Sequence, residues 1–133
     1  MLTGAPYDAS GFGLSRAAVR WLATLPTYWE ATLDGARTAV HHGRPGSDMK
    51  GVYADLDRAE ARTLLEAAGA DILLVGHTHE AFVAELGDGR MIANPGALWG
   101  QAGGTFGVLD VVERSFRVFR AGGGEVQILR VRL

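Results

Sequence analysis

Ile72-Leu73-Leu74-Val75-Gly76-His77-Thr78-His79 decides how this chain is read. The first four residues form a short, unbroken apolar run, the pattern of a strand buried on both faces. Such strands lie in sheets covered on both sides, most often parallel sheets with helical crossovers. The run stops at Gly76, and two histidines follow with one residue between them. Strand ends that feed glycine-bearing loops are where α/β folds place their sites.

The segments on the N-terminal side are consistent with this. Asp57 is placed to cap a helix whose apolar face is Ala61, Leu64, Leu65 and Ala68, with Gly69 as its stop signal. Further upstream, Tyr28–Leu33 alternates, Asp34-Gly35 is a two-residue hairpin signal, and residues 36–40 form the return strand. That strand runs into His41-His42-Gly43-Arg44-Pro45-Gly46. Ser15 caps an earlier helix with Ala18, Val19, Leu22 and Leu25 at helical spacing, ended by Pro26. Val19, Trp21 and Leu22 read as its core side. Residues 1–13 read as a loop.

On the C-terminal side, strands are expected over residues 82–86, 90–93 and 106–112, with Asn94-Pro95-Gly96 as a turn. Residues 116–120 and 125–131 read as a final hairpin around three glycines. The expected class is α/β, strand-rich, with two helices and no internal repeat or linker.

Bulk composition narrows the function. At 133 residues and 47% hydrophobic, the chain suits one domain with a real core. A net charge of −2 suggests neither a nucleic-acid groove nor an anionic membrane surface. Cysteine is absent, so any metal must be held by imidazole, carboxylate, carbonyl or water. No apolar run reaches the roughly 20 residues of a membrane helix. No signal peptide is visible, and the expected location is the cytoplasm. The 19 glycines imply many tight turns or close backbone approaches.

All four histidines fall in two places, each after an apolar strand and beside glycine. Imidazole is the commonest nitrogen ligand for zinc, iron, manganese or nickel. On residue type and spacing alone, a metal site and two solvated surface loops are both open readings.

The motifs carry a resemblance. Leu73-Leu74-Val75-Gly76-His77-Thr78-His79 resembles the strand-GHTH signature of the calcineurin-like metallophosphoesterases. Val40-His41-His42-Gly43-Arg44-Pro45 resembles that family's upstream histidine-glycine segment. Asn94-Pro95-Gly96 resembles the turn that follows in its small bacterial and archaeal phosphodiesterase branch. The three occur in family order, over a match that runs from about Ser15 to the end.

The resemblance implies a β-sandwich flanked by helices and a phosphoesterase that hydrolyses phosphodiesters or phosphomonoesters. It implies two divalent metals (Mn, Fe, Zn or Ni) about 3.5–4 Å apart, sharing a bridging hydroxide that attacks phosphorus in line. His42 and His77 would bind one metal and His79 the other. Arg44 is a weaker candidate to hold substrate phosphate, against an ordinary solvated loop arginine. Asn94 is a weaker candidate to orient a ligand histidine, against a plain turn role. His41 reads as a strand residue. Tyr53 and Trp99 are open between pocket lining and packing. Asp48, Asp55 and Asp57 read as caps rather than ligands.

The family's Asp-x-His, Gly-Asp-x-x-Asp and Gly-Asn-His motifs are not found, and no histidine precedes His41. Residues 1–133 are therefore expected to be the C-terminal part of a single metallophosphoesterase domain, half of the sandwich, with no catalytic residue of its own. Three neutral imidazoles offer nothing to offset the repulsion of two close cations, so at most one metal is expected here. The enzyme reading is then of a site incomplete in this chain. The alternative is a non-catalytic, self-associating remnant that binds a metal or an anion, since an unpaired sheet edge invites homo-oligomer formation.

Overall fold

A computed structural model describes residues 13–99 and 103–133. All but Gly13 of the N-terminal loop expected over residues 1–13 lies outside the described residues.

Helix α1 (Arg16–Leu22) starts where expected, with the Ser15 hydroxyl accepting from the Ala18 N–H. It leads to strands β1 (Tyr28–Leu33) and β2 (Ala36–His41), which pair antiparallel from Leu33↔Ala36 to Tyr28↔His41. Asp34 and Gly35 both have positive φ, 45° and 78°, as a turn matched to strand twist requires. Helix α2 (Arg58–Ala68) is capped by Asp57 on the Glu60 N–H and closed by Gly69 in the left-handed conformation.

Strand β3 (Ile72–Val75) follows, then β4 (Phe82–Glu85), β5 (Met91–Asn94), β6 (Thr105–Asp110), β7 (Ser115–Arg120), β8 (Glu125–Val126) and β9 (Leu129–Arg132). They form a six-stranded sheet, in the order β1-β2-β3-β5-β4-β9, and a three-stranded sheet, β6-β7-β8. β3 lies parallel to both β2 and β5. Its central position explains the continuous apolar run, because both of its faces are covered. Leu73 and Val75 face α2, packing with Ala61, Leu64 and Leu65. Ile72 faces the small sheet, packing with Phe116 and Val118.

Between β2 and β3, Asp71 accepts from the backbone N–H and the guanidinium of Arg37. Those hydrogen bonds hold the Asp71 carboxyl below its ordinary range.

Two expectations are corrected. The face of α1 read as core is not core within the described chain: the helix buries no residue, and Trp21 and Leu22 are exposed. Its apolar stripe has the right spacing but no covering surface among the described residues. The segment over residues 125–131 is not one hairpin strand either. β8 pairs with β7, then the chain crosses to the large sheet, where β9 runs parallel to β4. That crossing pairs the edge that β4 would otherwise leave open.

Candidate functional site

The three motif loops are neighbours because their strands are. β2, β3 and β5 lie side by side and parallel, so their carboxyl ends open on one edge of the sheet. The His42-Gly43 loop, the Gly76–His79 turn and the Pro95-Gly96 turn follow those three ends in that order.

Direct bonds join them. The Gly76 N–H donates to the His42 carbonyl at 2.9 Å. The Asn94 Nδ2 donates to the Gly76 carbonyl at 2.9 Å and to the Thr78 hydroxyl at 3.0 Å. The Asn94 Oδ1 accepts from the Gly96 N–H at 2.9 Å. Asn94 is 0% exposed, so a single side chain with all its bonds internal clamps two of the turns. Only one orientation of the amide fits, with the nitrogen on two acceptors and the oxygen on a donor.

The histidine turn is strained. His77 and His79 have φ of 65° and 62°, which non-glycine residues seldom adopt. The Thr78 N–H donates back to the Gly76 carbonyl at 2.8 Å, making a three-residue turn centred on His77. Conformations of this kind cost on the order of 1–3 kcal/mol each and persist only where the surroundings impose them. Here the surroundings are Asn94 and the His42 carbonyl.

The turn brings His77 to His42. Their rings meet edge to face with centroids 5.3 Å apart, and His77 Nδ1 lies 3.4 Å from His42 Nε2. An imidazole nitrogen reaches a metal at about 2.1 Å, so nitrogens this close can share one cation. His79 goes elsewhere, with its ring 5.8 Å from that of Trp99 at 80°. His41 stacks on Tyr28 on the α2 side of the sheet and takes no part. Gly43 is needed for space: a Cβ there would lie 2.6 Å from the Lys50 carbonyl oxygen and 2.7 Å from that of Ser47.

Arg44 reaches Glu60 instead of pointing freely into the cleft, so its guanidinium is already engaged. Asn94 touches the backbone and hydroxyl of the turn, not an imidazole ring. Among the described residues, no group of three or more His, Asp or Glu stands close enough to hold a metal ion. The two ring nitrogens stand close enough for one cation to reach both, and among the described residues no carboxylate joins them in a group.

The calcineurin-like phosphoesterase superfamily domain matches residues 7–114. The chain belongs to that superfamily.

Solved structures share the superfamily fold. A hypothetical protein from Pyrococcus horikoshii OT3 aligns with a TM-score of 0.65 at 14% identity, over 83% of this chain and 46% of its own. A metallophosphoesterase from Sphaerobacter thermophilus aligns with a TM-score of 0.61 at 18% identity, over 94% of this chain and 61% of its own. Vps29 from Entamoeba histolytica, complexed with zinc, aligns with a TM-score of 0.50 at 20% identity, over 71% and 53%. This calcineurin-like chain thus spans about half to three fifths of the length of the structures it resembles. No curated protein matches it. At these identities the likeness concerns the fold alone.

Proposed function

We propose that this chain is the histidine-bearing C-terminal part of a metal-dependent phosphoesterase domain. One observation carries the reading: in a calcineurin-like chain, His42 and His77 bring ring nitrogens within 3.4 Å at the ends of adjacent parallel strands. His42 and His77 would hold one divalent cation. His79, on the same turn, would be presented for a second, for which the described residues hold no further group of ligands. When bound, such cations lower the pKa of water and offset charge on a transferring phosphoryl group. Within this chain, Asn94 holds the turn that presents the imidazoles, and Glu60 holds Arg44 beside His77's cleft.

Metal content tests the reading. Loaded with Mn2+ and dialysed, the protein is expected to keep at most one ion per chain and to show only trace hydrolysis of a generic phosphodiester. Two retained ions with robust, chelator-sensitive turnover would refute the incompleteness of the site.

The large sheet favours a second reading, a self-associating remnant. Trp29, paired with Val40 on the small-sheet side, is 45% exposed, and Val40 is 38% exposed. With Leu74, Pro95 and Phe116 they line an apolar groove. β1 itself is an edge strand. Sedimentation at high concentration is expected to show self-association, which Trp29→Lys weakens. A monomer throughout would leave this face to the remainder of a phosphoesterase domain instead.

A further inference from the structure

Trp99 is a large apolar side chain with 75% of its surface exposed, and it stands against the histidine turn. Exposure of a single tryptophan needs no explanation by itself. Two observations set this one apart.

The first is its position, with its ring 5.8 Å from that of His79. The second is the way its stem is held. The Thr105 N–H donates to the Ala97 carbonyl at 2.7 Å, and the Thr105 hydroxyl donates to the Pro95 carbonyl at 2.8 Å. Gly104 lies so close beneath Leu98 that a Cβ there would sit 1.7 Å from the Leu98 carbonyl oxygen. The backbone leading to Trp99 is thus fixed on the first residues of β6, while its indole is left in water. A fixed, solvent-facing indole beside a candidate phosphate site has the form of a stacking platform.

We propose that Trp99 is a specificity residue, which receives a planar aromatic group attached to the phosphate of the substrate. The substrate class is then an aryl or nucleoside phosphate ester, with its phosphoryl group at the histidine turn and its ring on Trp99. This rests on the phosphoesterase reading above. Stacking on a protein aromatic tolerates different bases because each has a π face. Recognition by Trp99 therefore selects for a ring, not for one particular base.

Calorimetry on the Mn2+-loaded protein tests this with three probes: adenosine 5′-monophosphate, phenyl phosphate and ribose 5-phosphate. At least one aromatic probe is expected to bind about tenfold more tightly than ribose 5-phosphate. Trp99→Ala should reduce that advantage to about twofold or less, and Trp99→Phe should keep most of it. An advantage for the nucleotide alone identifies a nucleoside ester. An equal advantage for both identifies any arene.

Equal binding of all three probes, or an advantage that survives Trp99→Ala, overturns the proposal. If ribose 5-phosphate binding is lost in His77→Ala but no aromatic advantage exists, the Trp99 proposal alone fails. If ribose 5-phosphate does not bind, or is indifferent to His77→Ala, the phosphoesterase reading fails and takes this one with it. The indole is mostly exposed, so both Trp99 variants are expected to fold.

Discussion

Replacing His77 with alanine is expected to lower the affinity of this protein for Mn2+ at least tenfold, as read by calorimetric titration. Two consequences of the change add together. It removes one of two ring nitrogens that stand 3.4 Å apart, leaving His42 as a single exposed imidazole. It also removes the side chain that the strained turn exists to present, since His77 holds a φ of 65°. The fold itself should change little, because His77 is only half-buried and alanine keeps the same Cβ at that φ. Weaker metal binding with a nearly unchanged Tm would mark a residue kept for ligation. His41→Ala is the control: its ring stacks on Tyr28, away from the turn, and its loss should leave Mn2+ affinity within about twofold. Unchanged affinity in His77→Ala would end the ligand assignment.

Asn94→Ala is expected to be the most damaging single change near the site, on stability and on metal affinity together. Asn94 makes three hydrogen bonds from a fully buried position. Each is worth about 1 kcal/mol net, and truncation also leaves the Gly96 N–H without its acceptor and a small cavity. A loss of about 2–4 kcal/mol follows, which for a chain of this size lowers Tm on the order of 10 °C. Metal affinity should fall as well, because the Gly76–His79 turn loses the amide that holds it in a costly conformation. Val118→Ala separates the two effects. Val118 is equally buried but lies in the small sheet, so it should lose comparable stability while leaving Mn2+ affinity near wild type. If Asn94→Ala and Val118→Ala weaken metal binding equally, Asn94 has only a structural role.

The hairpin and the helix starts were legible from local signals that depend on chain neighbours, whereas the sandwich was expected only from the resemblance of the motifs. Asp34-Gly35 named a hairpin because positive φ is cheap there, and Ser15 and Asp57 named helix starts because their side chains bond the N–H three residues on. The site was legible as types and order: histidines beside glycine after apolar strands, then Asn-Pro-Gly. Its geometry was not. Nothing along the chain says that Asn94 bonds the turn rather than a ring, or that Arg44 is engaged by Glu60, because each partner lies 16 or more residues away. The misreading of α1 has the same origin, since helical spacing shows which side is apolar but not whether anything covers it.

By itself the sequence determined most of the elements up to β7, the strand buried on both faces and the set of candidate ligands. The elements and the strand rest on backbone preference or on periodicity, which are properties of a few adjacent residues, and the ligand set rests on residue type and on the resemblance of the motifs. Tertiary structure alone decided that β2, β3 and β5 run parallel and adjacent, that β9 crosses to close β4's edge, and that His42 meets His77 while His79 turns to Trp99. Those outcomes depend on which distant surfaces bury each other and which buried donors find acceptors, and both are settled only when the whole chain is closed into one core.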